Sequence, residues 1–144
     1  MEPDERAIDE ITGRFFAAFA NAGGYAANID DLYRVLIPEA VIVSNSGAMP
    51  LIYGVEGFVE PRRALLANGS LVDFREWETS ERTDIFGNIA QRAGTYAKSW
   101  TADGRAFEQT GAKTLQFIRT PDGWRISAFA WDDDDGMSPP RARA

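Results

Sequence analysis

The sequence predicts an α+β domain whose N-terminal helices pack on a mainly antiparallel sheet formed by the rest of the chain. Near the start, an apolar stripe recurs at helical spacing, formed by Ile8, Ile11, Phe15 and Phe19. From residue 71 to 131, alternating strands and closely spaced turns take over. Helices gathered at one end of a sequence are expected to cover one face of a single sheet.

Three helices are predicted before residue 70. The first begins at Pro3, a residue suited to the first helical position, and ends in the run Asn-Ala-Gly-Gly at residues 21–24. A short second helix follows Asn28 as a cap and stops before Pro38, because proline disfavours helical backbone in the preceding residue. The third covers about residues 55–67, with Pro61 expected to bend or restart it.

A short buried strand is predicted at residues 41–43, followed by a polar loop, and four long strands follow the third helix. Gly87-Asn88 and Asp103-Gly104 each lie between apolar stretches, which indicates two-residue hairpin turns. Residues 120–124, Thr-Pro-Asp-Gly-Trp, indicate a three-residue turn with a bulge. These three turns join the four long strands into one meander.

The turns also predict which residues lie opposite each other. Across the two glycine turns the expected pairs are Glu81–Gly94, Thr79–Tyr96, Trp77–Lys98, Gly94–Lys113, Tyr96–Gly111 and Arg92–Leu115. Across the third turn they are Lys113–Trp131, Leu115–Phe129 and Phe117–Ser127. A bulge in the strand before residue 86 would flip part of this assignment.

Strand alternation then gives the sheet two different faces. One is large, aromatic and partly charged, with Trp77, Thr79, Glu81, Arg92, Tyr96, Trp100, Phe107, Lys113, Leu115, Phe117, Phe129 and Trp131. The other is small and smooth, with Glu78, Ala93, Thr95, Ala97, Ala112, Thr114, Ile118, Ile126, Ala128 and Ala130. The first face is favoured as the lining of an interior, and Glu78 and Thr95 become its polar residues if the faces are exchanged.

Composition bounds the partners and the chemistry. The 144 residues carry a formal net charge of −7, which disfavours nucleic acid and an anionic membrane as partners. No apolar run is long enough to cross a bilayer, and the acidic N-terminus lacks signal-peptide features, so a cytoplasmic location is expected. We expect a single domain over residues 1–135 and a disordered tail over residues 136–144.

Two absent residue types restrict the chemistry further. The chain has no Cys and no His, so thiolate nucleophiles, disulfides and imidazole bases are excluded. Acid–base work must fall to Asp, Glu, Lys or Tyr with a shifted pKa. We therefore expect any reaction to be independent of a metal or other cofactor.

Several local landmarks resemble the nuclear transport factor 2-like superfamily, which includes ketosteroid isomerases, scytalone dehydratases and SnoaL-type polyketide cyclases. The resemblance covers residues 5–133 and rests on element order and on Phe15-Phe16, Asp31-Leu32-Tyr33, residues 38–41, Tyr53-Gly54, residues 73–78, residues 123–126 and Trp131-Asp132-Asp133. It implies a cone-shaped fold in which a curved sheet wraps around three N-terminal helices. An apolar cavity open at one end and a homodimer formed through the outer sheet face are also implied.

The predicted register places the best candidate for chemistry in one row across the large face, Glu81, Gly94, Lys113 and Trp131. Lys113 is a candidate base with a lowered pKa, or a donor to an anionic or carbonyl oxygen with Tyr96 as second donor. Alternatively, Lys113 pairs with Glu81 or stacks on Trp131 in a purely structural role.

Other candidates follow from the resemblance and from position. SnoaL-type cyclases use an acidic proton donor late in the sheet, a role that Asp132 would fill. The expected walls and polar lining of the pocket are Phe16, Tyr33, Asn45, Trp77, Glu81, Arg92, Phe129 and Trp131. Asn45 is equally a turn-former, and Phe16 and Tyr33 are equally core residues. Arg62 and Arg63 either guide an anionic ligand or form surface ion pairs.

The leading hypothesis is a pocket for a small apolar or carbonyl-containing molecule. The resemblance favours a cofactor-independent isomerase, cyclase or dehydratase with Lys113 and Tyr96 in the site. The ketosteroid isomerase base is absent, because the first strand runs into Ser44-Asn45 instead of a carboxylate. A non-catalytic ligand-binding or dimeric interaction module of the same fold is the alternative.

Overall fold

The structure is a computed structural model that describes residues 2–134 of the chain. The helices are α1 (Pro3–Ala17), α2 (Leu32–Val35) and α3 (Val55–Ala67), with short 3-10 turns at Ala22–Gly24 and Ile29–Asp31. The strands are β1 (Leu36–Ser44), β2 (Leu51–Tyr53), β3 (Val72–Phe86), β4 (Ile89–Ala102), β5 (Arg105–Thr120) and β6 (Gly123–Asp134). The tail predicted over residues 136–144 lies outside the described residues.

The helices begin near the predicted residues, but α1 ends at Ala17, before the predicted end at residues 21–24, and the Asn28 side chain does not cap the turn that follows it. Pro3 occupies the first turn of α1, and the Glu2 carboxylate caps that turn by accepting from the Asp4 amide at 3.0 Å. Pro61 lies inside α3 without ending it, so the restart expected there does not occur. No helix of the described residues has the length and apolarity needed to cross a bilayer.

Six strands form one sheet in the order β2-β1-β6-β5-β4-β3. All neighbouring strands are antiparallel except β1 and β6, which run parallel. β1 begins at Leu36, earlier than predicted, because the chain passes directly from α2 into extended backbone and includes Pro38 in the strand. β2 was not predicted from the sequence.

The two glycine turns set the register as predicted. Gly94 pairs with both Glu81 and Lys113, and Tyr96 pairs with Gly111 across the turn at 103–104. The third turn differs from the prediction, because Thr120 pairs with Gly123 across two residues and not three. The extra residue lies in β6, so Lys113 still pairs with Trp131. The register around Gly94 therefore follows directly from turn chemistry, whereas that of β6 does not.

A bulge at Thr79 changes which residues in the first half of β3 face the helices. Ser80 pairs with Thr95 but Glu78 pairs with Tyr96, so the predicted pairs Thr79–Tyr96 and Trp77–Lys98 are wrong. Glu76 and Glu78 consequently point toward the helices, and Trp77 points to the other face. Gly94 permits the bulge, since a Cβ there would collide with the Ser80 carbonyl oxygen.

A second register shift lies in β6. Phe117 pairs with Ile126, and the predicted partner, Ser127, is the extra residue. The shift places Ile126 on the face toward the helices, where it is fully buried, and not on the small face as predicted. Aromatic contacts close the core, with Phe15 packing on Phe129 at a centroid distance of 4.8 Å.

Candidate functional site

A cavity of about 420 Å³ lies between the helices and the inner face of the sheet. This volume falls within the range of roughly 300–1,000 Å³ typical of small-molecule sites. Its lining is mainly aromatic and aliphatic, with few polar groups: Phe19, Tyr53, Phe58, Arg62, Leu65, Leu66, Leu71, Phe74, Glu76, Tyr96, Lys98, Trp100, Lys113, Phe129 and Trp131. Such a lining suits an apolar ligand oriented by a small number of charges.

A buried ion pair projects into this cavity from two strands of the sheet. Lys113 Nζ on β5 donates to Glu76 Oε2 on β3 at 2.6 Å, and the two side chains are only 8% and 7% exposed. The bulge at Thr79 creates the pair, because it turns Glu76 inward. The sequence predicted the lysine but not its partner, since Glu81 was expected there.

Aromatic rings surround the Lys113 ammonium on its other sides. Its Nζ lies 4.9 Å from the ring centroids of Phe15 and Tyr96 and 5.1 Å from that of Phe16. Phe129 and Trp131 follow at 5.8 and 5.9 Å. Burial lowers the pKa of Lys113, and the neighbouring Glu76 carboxylate opposes this shift.

Tyr96 lies in the same cavity and is bound to a carboxylate at the end of β6. Its hydroxyl donates to Asp133 Oδ1, and Lys98 Nζ lies 3.1 Å from the same oxygen. Burial and the hydrogen bond to Asp133 raise the pKa of Tyr96. Gly111 makes room for this hydroxyl, because a Cβ there would collide with it. The phenol is therefore neutral and held in place.

Arg62 brings a third cation to the cavity wall from α3. Its guanidinium lies over the Phe58 ring at 3.9 Å, and Nη1 donates to the Phe58 carbonyl at 3.1 Å. Arg63, its neighbour in sequence, points away and forms surface ion pairs with Glu60 and Asp30. Arg63 therefore forms the surface ion pairs that the sequence allowed, whereas Arg62 lies at the cavity wall.

Arg92, an expected wall residue, is buried on the same inner face and pairs with Leu115, two residues from Lys113 on β5. It forms a two-bond contact with Glu78 at 2.9 and 2.6 Å and a salt bridge to Asp9 at 2.7 Å. Glu81 lies 3.6 Å away and is partly exposed. Arg92 and Glu81 do not line the cavity, so their assignment to its lining is wrong. The bulge, which brings Glu78 inward beside Arg92, is the reason.

Four other expected site residues lie elsewhere. Trp77 is 44% exposed on the outer face because of the bulge. Asp132 pairs with Ala112 and is exposed on the outer face. Asn45 lies beside Asp132, and its backbone N–H donates to the Trp131 carbonyl at 3.0 Å. Tyr33 is exposed and donates to Glu60 at 2.6 Å, a contact that raises its pKa to about 12. None of these four belongs to the cavity lining.

The remaining predicted residues do meet. Lys113, Tyr96, Phe129 and Trp131 all line the cavity, and Phe16 packs behind Lys113 without reaching the lining. Sequence reasoning missed Glu76, Lys98 and Asp133. Asp133 could have been predicted from the sequence, because strand alternation places it on the same face as Phe129 and Trp131, unlike Asp132.

Comparisons with protein-family models give no match, and comparisons with curated protein sequences give none either. Solved structures give many. A nuclear transport factor 2-like superfamily protein from Salmonella enterica serovar Typhimurium superposes with a TM-score of 0.74 at 14% identity, covering 96% of this chain and 98% of that one.

Two further solved structures carry functional names. One from Novosphingobium aromaticivorans, named as a candidate aromatic ring hydroxylase, has a TM-score of 0.75 at 21% identity, covering 95% of this chain and 91% of that one. A candidate dehydratase of the nuclear transport factor 2-like family from Streptomyces avermitilis has a TM-score of 0.72 at 16% identity, with coverage of 93% and 98%. Similarity at these identities shows the fold alone. The chain has the α+β fold of the nuclear transport factor 2-like superfamily.

Proposed function

We propose that the cavity binds a small, largely apolar carbonyl compound and that the Glu76–Lys113 pair moves a proton on it. One observation carries the proposal: an ion pair with both side chains more than nine-tenths buried faces an apolar cavity of about 420 Å³. Ionisable groups held in such surroundings are typical of sites that perform acid–base chemistry.

The two members of the pair have complementary roles in this proposal. Glu76 accepts a proton from the carbon next to the substrate carbonyl, and the electron pair moves to the carbonyl oxygen, where the Lys113 ammonium stabilises the enolate. Transfer of the proton from Glu76 to another carbon of a conjugated enolate completes an isomerisation. Its transfer to a β-hydroxyl, which leaves as water while the enolate collapses to the enone, completes a dehydration. Tyr96, held by Asp133, acts as a positioning residue beside Lys113.

Proton exchange at carbon tests the proposal without knowledge of the natural substrate. The protein is incubated in D₂O with a panel of cyclic enones and aryl ketones, and loss of the α-proton signal is followed by ¹H NMR. We expect catalysed exchange of at least one ketone, and a decrease of about 100-fold or more in Glu76→Gln, the range typical of removing a general base. Lys113→Met should decrease exchange as well.

Glu78→Gln is the matched control, because Glu78 lies two residues along the same strand and also pairs with a buried cation outside the cavity. It should keep exchange within a few-fold of the unmodified protein. Exchange that survives in both Glu76→Gln and Lys113→Met would contradict the proposed chemistry. Urea denaturation of each variant confirms that it is folded.

A ligand-binding protein without catalysis is the second candidate, and the packing around Lys113 favours it. The ammonium is already held by Glu76 and enclosed by aromatic rings, as expected of a structural cation. This candidate predicts that ketones bind without exchange. The same NMR samples distinguish the two, because binding broadens or shifts ketone signals whether or not deuterium enters.

We also propose that the protein forms a homodimer through the outer face of the sheet. Two features support this: the resemblance to a superfamily that pairs in this way, and a smooth face of small side chains, such as Ala112 and Ala130, beside an exposed Trp77. Sedimentation equilibrium should give twice the chain mass. Trp77→Arg should shift the equilibrium toward monomer, and an unchanged mass would contradict use of this face.

A further inference from the structure

The cations of the cavity outnumber its carboxylates. Arg62, Lys98 and Lys113 line it, whereas the carboxylates in reach are Glu76 in the lining and Asp133 beside it. Glu76 binds Lys113 at 2.6 Å, and Asp133 binds Lys98 at 3.1 Å. One positive charge, that of Arg62, is left over in a chain whose formal net charge is −7.

Arg62 forms no salt bridge with any carboxylate of residues 2–134. Its guanidinium is fixed by the Phe58 carbonyl at 3.1 Å and by the Phe58 ring at 3.9 Å, with the rings of Tyr53 and Trp131 at 5.4 and 5.5 Å. Burial lowers the pKa of Arg62, against a hydrogen bond with the Tyr53 side chain and the attraction of the Glu76 carboxylate, so the cation is partly stripped of water. A cation without a salt-bridge partner in such a place is costly unless an anion joins it.

The geometry suits one class of anion. A guanidinium has several N–H donors beyond the one used by Phe58, arranged in a planar fork that matches a carboxylate. The aromatic rings fix the plane of this fork, which lowers the entropic cost of forming two parallel hydrogen bonds. The rest of the wall is apolar, so only a small part of the ligand can be charged.

Trp131 connects this cation to the Glu76–Lys113 pair. Its ring lies 5.5 Å from the Arg62 guanidinium and 5.9 Å from the Lys113 ammonium, so one indole separates the two positive groups. A ligand anchored at Arg62 would therefore lie along Trp131 and present its far end to Lys113.

We propose that the ligand is a monocarboxylate with a flat apolar body, its carboxylate held by Arg62 and its body lying along Trp131 toward the Glu76–Lys113 pair. This inference rests on the proposed function, because it names the class of molecule that the same cavity takes. For the proposed proton transfer, the substrate is then a carbonyl compound that also carries a carboxylate.

A pair of matched ligands separates the anion from the apolar body. Isothermal titration calorimetry is carried out with 2-naphthoate and with the neutral 2-naphthamide, which share the same rings. We expect naphthoate to bind about 10-fold or more tightly than the amide, as charge-assisted bidentate hydrogen bonds imply. Arg62→Met should remove this difference by weakening naphthoate alone, and Arg62→Lys should keep part of it.

Arg63→Met is the control, because Arg63 is the adjacent arginine and its ion pairs lie outside the cavity. It should leave the preference for naphthoate unchanged. Equal affinity for the two ligands, or a preference that survives in Arg62→Met, would overturn the carboxylate inference while leaving the pocket intact. Failure of both ligands to bind the unmodified protein would overturn the inference and the proposed small-molecule pocket together.

Discussion

Two ion pairs with buried cations lie next to each other on the inner sheet face, and they differ in how completely the cation is satisfied. Arg92 uses its guanidinium on Glu78, Asp9 and Thr83, all between 2.6 and 3.1 Å. Lys113 makes one hydrogen bond within the described residues, to Glu76. The carboxylate partners, Glu76 and Glu78, are only two residues apart on β3.

The pKa directions of the two cations reflect this difference. Burial disfavours the charge at both, but Glu78 and Asp9 outweigh burial at Arg92, whose pKa is raised. At Lys113 burial outweighs Glu76, and the pKa is lowered. Arg92 thus links Asp9 of α1 to Glu78 of β3 as a structural cross-link, whereas Lys113 keeps capacity for another contact in the cavity.

The largest expected effect on stability follows from breaking the cavity pair. Lys113→Met leaves the Glu76 carboxylate buried without a cation, which should lower the free energy of unfolding by about 3–5 kcal/mol in urea denaturation. The double variant with Glu76→Leu should recover most of this loss, because no charge remains buried. A single-variant loss below about 1 kcal/mol would mean that Glu76 reaches water easily, against its burial.

A smaller loss in the free energy of unfolding is expected when the Arg92 ion pairs are broken. Arg92→Met should cost about 2–3 kcal/mol, because two of its partners, Asp9 and Glu81, are 45% and 40% exposed and can turn to solvent. The measurement is urea denaturation under identical conditions. If Arg92→Met destabilises more than Lys113→Met, the greater isolation of the cavity pair is refuted.

The bulge at Thr79, which turns both Glu76 and Glu78 inward, can be tested through Gly94. Gly94→Ala forces a Cβ against the Ser80 carbonyl and should lower the free energy of unfolding by about 1–3 kcal/mol, as overpacking does. Gly57→Ala in α3 is the control, because a Cβ there meets nothing within 4 Å. It should be neutral or stabilising by up to about 1 kcal/mol. Equal effects would argue against the tight approach at the bulge.

The smallest effect concerns a partly buried pair between α1 and the 3-10 turn before α2. Arg14 binds Asp31 at 2.7 and 3.0 Å, and this contact holds the pKa of Asp31 below its usual value of 3.8. The stabilisation is complete above pH 3.8 and disappears as the pH falls through the folded-state pKa. Asp31→Asn should therefore cost about 1 kcal/mol at neutral pH and little in strong acid. A cost independent of pH would contradict an ionic origin.

The comparison also explains how much the sequence could predict. The turns at 87–88 and 103–104 carry strong local signals, so the register around Gly94 and Lys113 followed from them. Lys113 and Tyr96 face the helices for that reason, whereas the pairing of Phe129 and Trp131 depends on the extra residue in β6, which offsets the shorter third turn. The bulges at Thr79 and Ser127 have no comparable signal, because they depend on packing against the helices and neighbouring strands.

One shifted residue in β3 then had large consequences. It replaced Trp77 by Glu76 in the cavity and gave Lys113 a partner different from Glu81. The parallel pairing of β1 with β6 was also beyond sequence reasoning, because short strands take their partners from the tertiary fold. Gly94 is a sequence signal for the bulge at Thr79, since a glycine in a strand centre often marks close approach of another backbone.

We expect a small molecule to bind in the cavity, and not beside Arg92 or on the outer face of the sheet. The four tryptophans report on these places in one ¹H–¹⁵N spectrum: Trp100 and Trp131 line the cavity, Trp124 donates to Asp4 at 3.1 Å outside it, and Trp77 lies on the outer face.

Titration of ¹⁵N-labelled protein with 2-naphthoate, with indole signals assigned by single Trp→Phe variants, tests this claim directly. We predict that the Trp100 and Trp131 indole signals shift and saturate, while those of Trp124 and Trp77 stay in place. Shifts confined to Trp124 or Trp77, or no saturable shift at any indole, would contradict it.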